Sequence, residues 1–159
     1  MAVRVCSLVL NETLNVPAGD QYRVVRFRFG AVKSSDAHHM HEAQQPDGVS
    51  TTFSHDRAGL IWPSADGWGE LKALMYWAPG RYSEVRSRFV RDPLNLAGGA
   101  DSTCTEDSPA SPGAQFRAKA WGIFVHVGTP LALMVRHNGP SPVVLTHAQF
   151  KLPSTTCSS

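Results

Sequence analysis

Charged side chains are sparse in this sequence, at 18% of 159 residues, and lysine occurs only four times against eleven arginines. No apolar run exceeds Pro130 to Val135, far short of the roughly 20 residues a membrane-crossing helix needs. The three cysteines, Cys6, Cys104 and Cys157, stand far apart without a CxxC pair. That odd count fits neither a closed disulfide set nor a thiolate metal cluster, and a reducing compartment at synthesis is expected. No internal repeat or low-complexity tract is present. Met1 to Leu10 alternates apolar with polar residues and has no small-residue cleavage pattern, so it does not read as a secretion signal.

Several chemistries are missing as well. Gly98-Gly99 is followed by neither Lys-Ser nor a helical pattern, so no phosphate loop is expected. No serine sits in a Gly-x-Ser-x-Gly elbow, and Ser54-His55-Asp56 is adjacency in sequence and not a triad geometry. Asp56, Asp66, Glu70 and Asp92 have no spacing that marks an acid–base pair, and Cys104 has no identifiable base beside it. The net charge of +2, from 15 basic and 13 acidic side chains, is too balanced for a phosphate-tracking surface. No nucleic acid, membrane or cofactor is therefore expected as a partner, and no catalytic residue is assigned.

What the sequence does contain is turns and strands. With 13 Gly, 11 Pro and 42% hydrophobic residues, it excludes a coiled coil and a disordered tail and fits a turn-rich β protein. Its length suits one domain with its own core, expected over residues 1–153, with 154–159 a frayed tail. Val3 to Leu10 reads as a strand, and a second apolar piece ends at the Pro17 to Asp20 turn. From Tyr22 to Phe29, Val25, Phe27 and Phe29 alternate with Arg26 and Arg28, the period of a half-buried strand. Asp36 to Gly48 reads as a polar loop; Val49–Phe53 and Arg57–Trp62 read as short strands. In Glu70–Trp77, Leu71, Ala73, Met75 and Trp77 face inward.

Tyr82, Val85 and Phe89 sit at i, i+3 and i+7, a spacing that suggests one or two helical turns, with a bent strand as the alternative. Pro93 to Gly113 has almost no periodicity and reads as one long surface excursion. The last third holds strands at Gln115–Val127, Leu131–Arg136 and Val143–Leu152, and Asn138-Gly139 predicts a closing antiparallel hairpin. Seven to nine short strands without long helices predict an all-β antiparallel sandwich of jelly-roll type, with long loops at its ends. An immunoglobulin-like sandwich is disfavoured because the Cys, Trp, Cys spacing is absent.

Three groups of residues attract a functional reading. His39-x-His41 on an extended chain would turn both imidazoles to one side, and with His137 or His126 would resemble the metal motif of the cupin family. However, Glu42 follows His41 at once, where that family leaves several residues between. This cupin-like metal protein or enzyme, with His39, His41 and His137 as ligands, is the alternative to a non-enzymatic reading. Arg81, Arg86, Arg88 and Arg91, mixed with Glu84 and Asp92, would rim a groove for an acidic partner. Of the tryptophans around the Pro63 to Gly69 turn, Trp68 is expected at the surface, while Trp77 and Trp121 are expected in the core. Trp68 and the Asp36 to Gly48 loop are also the candidates for a receptor- or glycan-binding role in a tail component.

The stretch Trp121 to Gly139 and His147 to Leu152, together with Trp62 to Gly69 and Phe89 to Leu94, resembles small all-β virion proteins of tailed phages that infect high-GC actinobacteria. The resemblance rests on these blocks and on texture over most of the chain. It implies a capsid decoration or minor tail component with a jelly roll of the tumour-necrosis-factor-like kind. Such a protein is commonly a homotrimer, made in the host cytoplasm and carried on the virion, with the major capsid protein or other virion proteins as partners. Trp68, Tyr76, Tyr82 and Phe116, with Arg86 and Arg88, would then be interface residues, because large aromatics and arginine dominate association energies.

Overall fold

A computed structural model describes residues 2–19, 21–30 and 34–156 of the chain. Among the described residues nine strands form two antiparallel sheets stacked face to face. The first sheet has the order β1 (Val3–Leu10), β9 (Val143–Thr156), β4 (Gly67–Trp77), β7 (Gln115–Val125), with β2 (Leu14–Val16) also paired to β9. The second has the order β3 (Arg23–Val24), β8 (Leu131–His137), β5 (Glu84–Arg91), β6 (Asp101–Pro109). This is an all-β antiparallel jelly roll, as the short strands and abundant turns predict.

Period-two alternation puts Cys6, Leu8 and Leu10 of β1, Leu71, Ala73, Met75 and Trp77 of β4, and Leu145, Ala148, Phe150 and Leu152 of β9 between the sheets. Phe150 of the first sheet lies between Phe27 (ring centroids 6.4 Å apart) and Phe89 of the second sheet (6.0 Å). At one end Trp77, Tyr82 and His137 pack together, with centroids 6.1 to 6.2 Å apart.

Several expected elements take another form, each for a local reason. Tyr22 to Phe29 keeps Val25 and Phe27 wholly buried, but only Arg23–Val24 joins a ladder. The Val25 amide still reaches Leu133 O, whereas Phe27 N turns to Ala58 O, and Arg26 is held by two bonds to Asp56. The chain therefore leaves the sheet to meet the 3-10 turn Asp56–Gly59. That turn, capped by the His55 ring, replaces the strand expected at Arg57–Trp62, of which a single bridge from Ile61 to Leu131 remains. Val49–Phe53 is likewise a loop with one bridge, Gln44 to Ser50.

Tyr82 to Phe89 is not helical. Val85, Ser87 and Phe89 all face inward from β5, and the polar Ser87 hid the alternation. The long excursion after Pro93 contains an edge strand, β6, whose sequence DSTCTEDSP has no apolar row to reveal it. The closing hairpin does not form, because β8 and β9 belong to different sheets. Asn138 instead spends its side chain on Ser83 and Glu84, accepting both amides and donating to Ser83 Oγ. Finally, β9 runs on through Thr156, paired to Gly67, so 154–156 is strand and not a frayed tail; 157–159, including Cys157, lie outside the described residues.

The loop between the sheets is built from internal bonds. Asp36 accepts the amides of Met40 and His41. Arg57, nearly buried, bonds Gln45 and Asp47, and Gln45 donates back to Arg57 O. After β5, Asp92 is 2% exposed with φ +49° and takes the amides of Leu96, Ala97 and Gly99 on its carboxylate.

Candidate functional site

The outward row of a surface strand is ordinarily its polar one, and β7 departs from this over its first half, although its inward row ends in the buried Ile123 and Val125. Its outward residues are Phe116, Ala118, Ala120, Gly122 and Phe124, while Gln115, Arg117 and Lys119 point toward the space between the sheets. Lys119 lies over the Phe89 ring, 4.7 Å from its centroid, and its Nζ donates to Ser87 O and Cys104 O of the opposite sheet. Burial holds its ammonium below the ordinary lysine range. Arg117 donates to Pro109 O. These long stems close the open side between the two edge strands β6 and β7, so the apolar row is left outside.

The neighbouring strand continues the same surface. In the antiparallel register of β4 with β7, Trp68 opposes Phe124, Leu74 opposes Ala118, and Tyr76 opposes Phe116. Trp68 and Phe124 meet edge to face at 5.0 Å, and Tyr76 and Phe116 stack at 4.1 Å. Phe116 is 62% exposed and Phe124 58%, so these pairs satisfy one another only in part. Gly122 is required here, since a Cβ would come within 2.5 Å of the Trp68 ring. Farther across the sheet Val3 and Val5 of β1 are exposed as well. The exposed aromatics cluster on β7 and the two ends of β4, and Glu70, Lys72, Gln149 and Lys151 separate them from the β1 valines; such a cluster is a candidate interaction site.

Trp68, Tyr76 and Phe116, expected from sequence as interface residues, thus lie on one face. The other three do not join them. Tyr82 is 6% exposed and packs on Trp77 and His137, with its hydroxyl donating to Ala78 O; it is a core residue. Arg86 and Arg88 lie on the outer side of the second sheet. There Arg86 pairs with Glu84 and Asp107, Arg136 pairs with Glu84, and Arg88 stacks on the Tyr22 ring at 3.8 Å. This is a solvated face on which three arginines share two acids and a tyrosine ring. Trp121, expected in the core, is 49% exposed; it is the inward residue of an edge strand at a point where no facing strand covers it. Phe124, Ala118 and Ala120 escaped the sequence reading, although the alternation in Phe116 to Phe124 was itself the signal.

The histidine cluster is taken apart by the backbone. His39 has φ +55°, which breaks the extended geometry that would have aligned it with His41. Its exposed ring bonds Glu42 through Nδ1, which raises its proton affinity. His41 is buried, stacks on Phe29 at 4.5 Å and donates from Nε2 to Ala58 O. His137, fully buried, accepts Gly139 N–H at Nδ1 and so donates from Nε2 to Val16 O. Among the described residues no three His, Cys, Asp or Glu side chains come together to hold a metal, and the cupin-like ligand set is not assembled. The Asp36 to Gly48 loop also buries His41 and Gln45 and half-buries Asp36, while Asp47 is exposed and pairs with Arg57.

The geometry is that of a two-layer jelly roll whose first sheet exposes Trp68, Phe116 and Phe124 on its outer face. The comparisons with known proteins agree at the level of fold. No protein-family model matches the chain, and no curated protein matches it. Among solved structures it is similar to Eiger TNF from S. frugiperda, with a TM-score of 0.62 at 12% identity over 99% of this chain and 95% of that one. It is also similar to the globular domain of zebrafish complement 1qA protein, with a TM-score of 0.60 at 14% identity over 94% of each chain. At such identities the likeness establishes the jelly-roll fold.

Proposed function

We propose that this chain is a non-enzymatic structural protein that self-associates through the outer face of its first sheet. We further propose that it does so on the surface of a tailed-phage particle, as a capsid decoration or minor capsid protein. The observation that carries the first part is the outward row of β7, which places Phe116 and Phe124 in water while Lys119 lies inside. Leaving two phenylalanines, Trp68 and a row of small residues solvated forgoes roughly 25 cal/mol for each Å² that a partner would cover. A specific interface needs about 800 Å² on each side, and a face four strands wide can supply that. The likeness to the Eiger TNF and complement 1qA folds supports a binding module over an enzyme. The particle setting, the major capsid protein as partner and the trimeric state rest on the sequence resemblance.

Sedimentation equilibrium of the purified protein tests the assembly: a single species of three chains is expected, and a monomer at all concentrations overturns it. Antibody labelling of purified particles of the source phage tests the setting. Label over the head is expected, label on the tail would make the chain a minor tail component, and unlabelled particles overturn the virion reading. A glycan-binding role would use the half-exposed ring of Trp68, and binding on a glycan array that is lost in Trp68→Ala would favour it instead.

A further inference from the structure

Near the middle of the apolar face two lysines stand side by side. Lys72 of β4 and Lys151 of β9 are direct partners in the antiparallel register, where like charges destabilise the pairing. They border a depression of about 190 Å³ that is lined by Lys72, Ala73, Leu74, Gln149 and Lys151, with no acidic group among them. The acid nearest in sequence, Glu70, sits two residues before Lys72 on the same side of β4. Its carboxylate instead accepts the Trp68 indole N–H at 2.7 Å and lies over Gly122. Across the strands Ser7 opposes Lys151 and Ala120 opposes Lys72, so neither neighbour supplies a negative charge.

A second copy of the chain is poorly equipped to neutralise this pair. Every acidic side chain among the described residues already has a partner in its own chain. Glu12 binds Arg28, Asp56 binds Arg26, Asp47 binds Arg57, and Glu84 and Asp107 bind Arg86. Glu42 pairs with His39 and Asp101 with Arg91. Asp36, Asp66 and Asp92 accept backbone amides, and Glu106 accepts Ser108 Oγ. Covering the face would therefore desolvate two ammonium groups against a single acid, Glu70, and leave at least one of them uncompensated, which costs several kcal/mol for an unpaired ion.

We propose that Lys72 and Lys151 form a binding site for a free tetrahedral oxyanion of the phosphate class, and that its occupation is coupled to self-association of the sheet face. The proposal rests on the assembly reading given above. The two lysines that border the depression carry six N–H donors between them, enough to hold an oxyanion by charge-assisted bonds, while the amide nitrogen of Gln149 is shared with His147 Nε2 at 2.9 Å. By linkage, an anion that binds the assembled form better must tighten assembly.

The test uses the full chain in sedimentation velocity, with inorganic phosphate exchanged for chloride at constant ionic strength and pH. Association roughly tenfold tighter in phosphate is expected. The double variant Lys72→Met/Lys151→Met should associate equally in both buffers, and at least as tightly as the parent in phosphate. Parent association that is indifferent to phosphate overturns the coupling, as does a double variant that keeps the dependence. If the parent is monomeric in both buffers, the assembly reading fails, and equilibrium dialysis with labelled phosphate then judges the site alone. Saturable binding abolished in the double variant sustains the site, whereas its absence in the parent removes it. Circular dichroism and a urea melt of the double variant confirm that it folds.

Discussion

Tyr76 and Phe116 face each other across the β4–β7 pair with their rings 4.1 Å apart and 22° from parallel, on the outside of the sandwich. Two aromatic rings stacked in that position contribute little to the core. They do enlarge and stiffen a flat apolar surface, as association requires: rigid aromatics lose little conformational freedom on binding.

Phe124→Ser and Phe116→Ser should therefore dissociate the assembly while leaving the fold intact. Sedimentation should shift toward the monomer, and the unfolding free energy, compared at concentrations where both proteins are monomeric, should change by less than about 0.5 kcal/mol, the usual range for surface changes. Arg88→Ala, on the opposite sheet, should leave association unchanged. A dissociated Arg88 variant beside an assembled Phe124 variant would place the interface on the other face.

Lys119 is expected to be structural. Lys119→Met retains the stem over Phe89 but strips Ser87 O and Cys104 O of a donor, which should cost about 1 to 2 kcal/mol in chemical denaturation. Lys119→Ala should cost more, because the apolar stem is lost too.

Asp92 holds the 92–99 loop through three amide bonds on a buried carboxylate. Asp92→Ala orphans these donors and leaves an alanine at φ +49°, so a loss of about 3 kcal/mol is expected. Amide exchange should show Leu96, Ala97 and Gly99 losing protection first.

Stability should also fall as the solution is acidified from pH 7 to pH 5. Burial depresses the proton affinity of His41, against the opposing pull of Ala58 O and the charges of Asp36 and Glu42. The unfolded chain therefore binds the proton more readily, and the contribution of His41, complete above its ordinary value of 6.5, is lost as pH drops toward the lower folded value. His39, held up by Glu42, acts in the opposite sense but is fully exposed and weak. Glu12, Asp47 and Glu84 are held down by their arginines, and their contributions are lost only at more acid pH. Urea midpoints of the parent and of His41→Gln, followed over this range, isolate the histidine: the variant should give the flatter curve.

The legible parts of this fold were those where alternation and burial coincide. Leu71 to Trp77, Leu131 to Val135 and Leu145 to Leu152 carry inward rows that only a half-buried strand explains. The illegible parts have physical causes. An inward serine interrupts β5, and an edge strand such as β6 needs no apolar row because little covers it. Asn138-Gly139 makes a turn whichever sheet the next strand joins, since the choice of sheet depends on contacts far away in sequence. The candidate face was half visible: Trp68, Tyr76 and Phe116 were singled out by residue type. Their union with Phe124, Ala118 and Ala120 needed the β4–β7 register. The alternation of β7 can also be read with either row inside, and the contacts of Lys119 across to β5 and β6 decide it.

One consequence concerns how the molecule is made. The ninth strand is the seam of the first sheet, joined to β1, β2 and β4. The ladder partner of β1 is therefore found only far along the chain, in β9. Pairing across that span pays a large loop-closure entropy before any contact repays it. This layer consequently closes late in folding, and until it does the phenylalanines of β7 are the surface most open to premature clumping or to a chaperone's grip.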